Sequence, residues 1–262
     1  MKINSREKLA ENIYEIKFTD PALVKNAKPG QFLIVQTNEK SERIPLTIAD
    51  ADKETGEVTI VVMEVGDSTH DLVKADELYH VCGPLGNPSD LALMDEEDLK
   101  KEHVVFLAAG VGAAPVYPQA KFLHDHGVKA DVILAARNES LLIYEDKLAA
   151  VANLHIATDD GSKGFNGLIT DALVDLVDKG ADFTRIVAIG PMIMMKFATL
   201  TAKKLSIPII VSLNPIMVDG TGMCGSCRCM VEGKAKFACV DGPEFRGEEV
   251  DWDDALRRLK RW

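Results

Sequence analysis

The chain has 262 residues, 47% hydrophobic and 27% charged, with 30 Lys and Arg against 41 Asp and Glu, a net charge of -11 and a pI near 5.1. This describes an ordinary globular protein of roughly two compact units plus a smaller piece, and its acidity argues against nucleic acid or anionic membrane as a partner, since both repel a negative surface. No apolar run reaches the roughly 18 residues of a membrane span, and the start, "MKINSREKLAENIYEIKF", lacks the apolar centre of a signal peptide, so the sequence predicts a cytoplasmic protein.

From residue 12 to about 86, short alternating runs are divided by turn signals. "NIYEIKFTD", "GQFLIVQTN", "RIPLTIADAD" and "GEVTIVVMEVG" read as strands, with turns at Pro29-Gly30 and at 53–56. Short strands at this spacing predict a small antiparallel barrel or sandwich. The charged stretch "NPSDLALMDEEDLKKE" lacks strand character and marks a boundary.

From residue 103, near-continuous apolar runs alternate with amphipathic helices. "HVVFLAAG", "ADVILAAR", "NLHIATDDG", "RIVAIGP" and "IPIIVSLN" suit strands buried on both faces. "APVYPQAKFLHDHG" and "GLITDALVDLVDKG" read as helices closed by Gly127 and Gly180. Repeated strand and helix predict a doubly wound parallel sheet. Past residue 214 neither rhythm continues: a cysteine-rich loop leads to "EEVDWDDALRRLKRW", whose end reads as a short helix. The expected division is thus 1–98, an N-terminal antiparallel β-barrel; 99–212, a doubly wound α/β unit; and 213–262, a small C-terminal lobe with too few apolar residues for its own core.

The first parallel strand runs into "AAGVGAAP". Gly110 and Gly112 stand where a strand becomes a helix, where glycine lets the backbone approach a pyrophosphate at the positive helix end; Pro115 replaces a third glycine. "ATDDGSKGFNG" and "IGPMIMM" also follow predicted strands at the edge where open α/β sheets bind ligands. There Asp159 and Asp160 suit ribose hydroxyls or, more simply, the capping of a turn, and Met192, Met194 and Met195 suit a helix core face. Cys82 reads as a buried small residue, and His124 and His126 as a solvated helix end.

Four of the five cysteines fall between 224 and 239. Zinc ribbons show two C-x2-C pairs, whereas the plant-type 2Fe-2S signature is C-x4-C-x2-C and a distant cysteine. Cys224, Cys227 and Cys239 fit the last three places of that signature, and Asp219 stands at the first. Either Asp219 is the fourth ligand and Cys229 is free, or Cys229 completes an all-thiolate set. The spacing favours Asp219, because C-x2-C-x-C leaves a single residue between neighbouring ligands and "GTG" frees the loop after Asp219 to wrap a cluster. Structural zinc in a nucleotide-binding regulatory module is the rival from another class.

Together these motifs, with "ERIPLTIAD", "TDDGS", "GPMIMM" and "ACVDGPEF", resemble the ferredoxin-reductase-like electron-transfer subunits, a resemblance covering essentially the whole chain. The nearest relatives implied are the small subunit of the flavin-bifurcating NADH-dependent reduced ferredoxin:NADP oxidoreductase and, further off, the electron-transfer subunit of dihydroorotate dehydrogenase B. The resemblance implies FAD on the barrel, with Arg43 on its phosphates, Pro45, Leu46 and Thr47 beside its ring, and Gly66, Ser68 and Thr69 as a second phosphate-binding stretch. Arg43 lies one place earlier than in the commonest form of that motif. The resemblance further implies NAD(H) held by Gly110, Gly112, Pro115, Asp160, Gly161, Gly190, Pro191 and Met192, and a 2Fe-2S cluster on Asp219, Cys224, Cys227 and Cys239. Ile189 stands where the family usually has a cysteine. A larger flavin and 4Fe-4S catalytic subunit is the implied partner, in a heterodimer; in the second relative the partner is an FMN barrel.

Overall fold

Alternation of apolar and polar residues shapes the first unit, and the structure, a computed structural model, describes residues 1–259. Strands β1 (Ile3–Ala10), β2 (Ile13–Thr19), β3 (Phe32–Gln36), β4 (Ile44–Asp52), β5 (Glu57–Met63) and β6 (His80–Leu85) form an antiparallel sheet in the order β1-β2-β5-β4-β3-β6. Hydrogen bonds from Ile3 to Asp76 and from Leu78 to Met1 draw β1 against the segment entering β6 and curl the sheet towards a barrel. Ile16, Phe18, Leu33, Val35, Ile48, Val58, Ile60 and Val62 fill its interior. Helix α1 (Pro21–Asn26) starts where Asp20 accepts from the Leu23 N–H and proline takes the first position. Helix α2 (Asp67–Lys74) lies between β5 and β6, and α3 (Glu96–Leu99) forms in the charged stretch, burying Leu99.

The second unit contains β7 (Val104–Ala109), α4 (Ala113–Asp125), β8 (Ala130–Ala136), α5 (Glu145–Ala149), β9 (Asn153–Thr158), β10 (Phe165–Asn166), α6 (Ile169–Asp178), β11 (Arg185–Ile189), α7 (Met192–Leu205) and β12 (Ile209–Ser212). Its strands are parallel, in the order β10-β9-β8-β7-β11-β12. Val105, Leu107 and Ile133 face α6 and α7, while Val104, Phe106 and Val132 face α4, so the strands are buried on both sides as their apolar runs predict. Met192 and Met195 are buried in the α7 face with Met194 packed against it. His124 and His126 lie exposed at the end of α4. Cys82 is only partly buried on β6, because that strand lies at the sheet edge.

The C-terminal lobe has β13 (Arg228–Val231) paired with β14 (Lys234–Phe237), then β15 (Glu244–Arg246) and α8 (Trp252–Leu259). It is tied into the second unit more closely than its change of rhythm suggests. Strand β15 pairs antiparallel with β12 as a seventh strand, and Val231, Ala238, Trp252 and Ala255 share a core with α6 and α7. Sharing that core lets so small a lobe hold its shape. Residues 260–262, the end of the expected tail helix, lie outside the described residues.

The barrel is held against the α/β unit by a buried polar contact. Glu15 on β2 accepts from the Tyr144 hydroxyl and from Lys147 at 2.6 Å, and Lys121 of α4 reaches Asp50 of β4 at 2.9 Å. Burial would raise the Glu15 carboxyl, but these donors hold it below its ordinary range. Beside it, Ile13, Ala49 and Val61 of the barrel pack into one apolar core with residues of α4, β7 and β8.

Candidate functional site: a cleft and an adjoining cysteine loop

The chain leaves β7 towards β8 on one side, while β11 lies on the other. At that reversal of strand order the loops diverge and open a crevice, where ligands of such sheets bind. A cleft of about 440 Å³ lies there, walled on one side by the barrel. Its lining includes Pro45, Leu46 and Thr47 of β4, Gly110, Gly112 and Pro115 after β7, and Gly190 and Pro191 after β11.

The two glycines of "GVG" do different work. Gly110 has φ +57°, and a Cβ there would meet nothing within 4 Å, so its backbone faces open cleft. At Gly112 a Cβ would stand 2.1 Å from the Ile189 carbonyl oxygen, so this glycine lets the end of β7 close on β11. Gly190 is likewise packed, with its Cβ position 2.9 Å from that of Ala109.

Other residues expected at a dinucleotide or flavin site lie outside the cleft lining. Asp160 accepts from the Ser162 N–H at 2.9 Å and caps the turn after β9 with Gly161, two strands along the edge from β7. Met192 is buried and turned towards a small pocket beside Cys229. Gly66, Ser68 and Thr69 begin α2, where Thr69 accepts from the backbone N–H groups of Val65 and Gly66, and Ser68 donates to Glu42 at 2.5 Å. The Arg43 Nε donates to the carbonyl of Val218 at 2.8 Å and Nη2 to that of Asp219 at 3.3 Å.

The structure adds residues that local patterns did not single out: Phe32, Met63, Ser212, Leu213, Asn214 and Met217 also line the cleft. Asn214 reaches the Gly190 carbonyl at 3.5 Å. For Leu213, Asn214 and Met217 the available signal was position, because they follow β12, the strand beside β11.

Beyond Met217 the chain enters the cysteine loop. Gly220, Gly222 and Gly225 all have positive φ, which lets the loop coil back on itself. Asp219 accepts from the Thr221 N–H and hydroxyl and from the Cys224 N–H at 2.6 Å. These donors, Thr221 foremost, hold its carboxyl well below the usual carboxylate range. The Cys224 thiol is exposed and lowered, chiefly by Ser226, although Asp219 opposes that shift. Cys227 and Cys239 are buried with sulfurs 3.2 Å apart, and burial together with the Cys227 contact raises the Cys239 thiol. A thiol raised in this way stays protonated until a metal ion supplies positive charge.

The loop thus carries two donor pairs, Asp219 with Cys224 and Cys227 with Cys239. Among the described residues no three His, Cys, Asp or Glu side chains gather as ligands of a single ion. Cys229 is buried on β13 opposite Lys236, whose carbonyl its sulfur faces at 3.6 Å, and burial pushes its thiol up to about 11.

Residues 214–251 match the model of the iron-sulfur cluster binding domain of dihydroorotate dehydrogenase B. The chain is 46% identical to a homolog of the electron transfer subunit of dihydroorotate dehydrogenase B (NAD(+)) from Thermotoga maritima, over 100% of this chain and 91% of that protein. It is 32% identical to the corresponding subunit from Geobacillus kaustophilus, over 95% and 97% of the two chains. A solved chain from the NADH-dependent reduced ferredoxin-NADP oxidoreductase, described for flavin-based electron bifurcation, superposes with a TM-score of 0.92 at 45% identity, covering 100% of this chain and 93% of its own. The chain therefore belongs to the ferredoxin-reductase-like family of electron-transfer subunits that includes the electron transfer subunit of dihydroorotate dehydrogenase B.

Proposed function

We propose that this chain passes electrons between NAD(H), FAD and a 2Fe-2S cluster and, through them, to or from a larger catalytic partner. One observation carries this reading: β4, the strand-order reversal and the cysteine loop meet at one place. Leu46 and Thr47 wall the cleft from the barrel, Gly110 opens it from the parallel sheet, and Met217 lines it two residues before Asp219. The division into 1–98 for flavin, 99–212 for NAD(H) and 213–262 for the cluster belongs to the same proposal.

The residues present suit these groups. The Cβ positions of Gly110 and Gly66 meet nothing within 4 Å, leaving room for a ligand against the backbone. Asp219, Cys224, Cys227 and Cys239 would hold the cluster, and two donor pairs match two irons, whereas structural zinc takes four donors at one point. When bound, the flavin supplies exchange between the paired electrons of a hydride and the single electrons of a cluster. The chain needs no general acid or base for this. Its cleft residues would orient the rings, and Asp219, Cys224, Cys227 and Cys239 would hold the cluster near the cleft that Met217 lines.

Similarity to the ferredoxin-NADP oxidoreductase chain favours the NAD-side subunit of such a complex, with a partner carrying flavin and 4Fe-4S clusters. The match at 214–251 favours the second reading, in which the partner is an FMN protein that oxidises dihydroorotate. Anaerobic purification with whatever co-elutes separates them. The reading expects a yellow-brown chain with on the order of one FAD and two irons, and a partner with 4Fe-4S absorption. An FMN-only partner selects the second reading, and a colourless chain with one zinc refutes both.

A further inference from the structure

The family resemblance assigns Arg43 to the flavin phosphates although it lies one place earlier than the motif's commonest cation, and its hydrogen bonds run instead to the cysteine loop. Nε and Nη2 donate to the carbonyls of Val218 and Asp219 at 2.8 and 3.3 Å, and Nη1 faces the His80 ring at 3.5 Å. Glu42, one residue earlier, contacts instead Ser68 in the first turn of α2. Residue 42 is therefore turned to the helix start that suits phosphates, and residue 43 to the loop that carries the metal donors.

The bonds of the Asp219 carboxylate, to Thr221 and Cys224, stay inside the loop and do not locate it on the protein. Two contacts with the barrel do. Gly220, at φ +79°, lies so close to Ile34 and Leu85 that a Cβ would stand 2.8 Å from Leu85 Cδ1, and Arg43 supplies the polar anchor. The residues that follow Arg43, Pro45 to Thr47, wall the cleft. The short stretch from Arg43 into β4 thus touches both the Val218–Asp219 backbone and the cleft.

We propose that Arg43 is a positioning residue for the iron-sulfur loop and not a ligand of the flavin phosphates: its guanidinium fixes the 218–219 backbone on the barrel and so places Asp219, together with Cys224, relative to the buried Cys227 and Cys239. Arginine suits the task because its planar fork engages two carbonyls at once, whereas lysine offers a point charge. This inference rests on the function proposed above.

The test uses the full chain reconstituted anaerobically with FAD, iron and sulfide, as wild type, Arg43→Gln and Arg43→Lys. Flavin fluorescence gives the FAD Kd, chelator challenge gives the rate of cluster loss, and electron paramagnetic resonance of the reduced protein reports cluster geometry. In Arg43→Gln the FAD Kd should change by less than about tenfold, while cluster loss accelerates by about tenfold or more and the resonance line shape changes. Arg43→Lys should fall between, and it decides the matter if the Gln variant does not fold. An FAD Kd raised about tenfold or more, or a cluster with wild-type loss rate and line shape, overturns the inference. Wild type that gives no 2Fe-2S signal refutes the functional reading itself, before any variant is compared.

Discussion

Replacing Gly112 with Ala should weaken the whole fold, whereas the same change at Gly110 should leave the fold nearly intact and impair dinucleotide binding. At Gly112 the backbone is helical, with φ -60° and ψ -15°, so alanine meets no conformational cost. Its Cβ would instead stand 2.1 Å from the Ile189 carbonyl oxygen and 2.7 Å from the carbonyl carbon. Backbone atoms cannot swing aside, so the ends of β7 and β11 must part by about 1 Å in the centre of the sheet. Overpacking of this kind costs about 1–3 kcal/mol; disturbance of the central ladder argues for the upper end, a fall in Tm of about 6–12 °C. At Gly110 the cost is the left-handed conformation alone, about 1 kcal/mol or about 2–4 °C, and the methyl group enters the cleft. Calorimetry of the full chain without ligands, with an NADH titration of each variant, measures both effects. A Gly112→Ala protein melting within about 2 °C of wild type, or below which Gly110→Ala melts, would refute the reasoning.

Cys229→Ser should keep the 2Fe-2S absorption and paramagnetic spectra, since its sulfur faces the Lys236 carbonyl on β13; loss of those spectra would return Cys229 to the ligand set in place of Asp219. Glu244 accepts from Gln119 at 2.7 Å, and burial pushes its carboxyl up to about 7. Folding therefore takes up a proton between pH 4.5 and about 7, and stability falls as pH rises through that window. Glu244→Gln should stabilise the protein on the order of 2 kcal/mol at pH 8 and much less at pH 5; equal effects in urea unfolding at the two pH values would contradict this. His103 lies between Asp131 and Asp182, each 3.0 Å away; burial lowers its pKa, but the two carboxylates raise it overall above 6.5. Its contribution is fully present below pH 6.5 and disappears as pH rises through the higher folded value. His103→Gln should therefore cost up to about 1 kcal/mol more at pH 5.5 than at pH 8.5, and a cost independent of pH would remove the histidine's charge from the account.

The strands that local pattern revealed are those whose side chains meet a core on a regular period. Runs such as "VVFLAA" and "DVILAA" are apolar throughout because helices cover both faces of the sheet. The strands it did not reveal are edge elements. Strand β1, "INSREKLA", is almost wholly exposed, so nothing obliges its residues to alternate, and β6, "HVCGPL", contains the glycine and proline that ordinarily end a strand. Strand β15 is three residues long and exists through its pairing with β12, a partner with no trace in its own residues.

By itself the sequence determined the three-part order, the parallel sheet with its glycine turn, and the spacing of Asp219, Cys224, Cys227 and Cys239, because each depends on residues close together along the chain. Tertiary structure alone decided which of those residues share a site. It separated Gly110, open to the cleft, from Gly112, closed on Ile189, and left Asp160 and Met192 outside the cleft lining. It also carried the Arg43 guanidinium 175 positions along the chain to the carbonyl of Val218. A side chain's reach depends on which face its strand presents and on what the fold lays against that face, and neither is encoded within a few residues of the side chain.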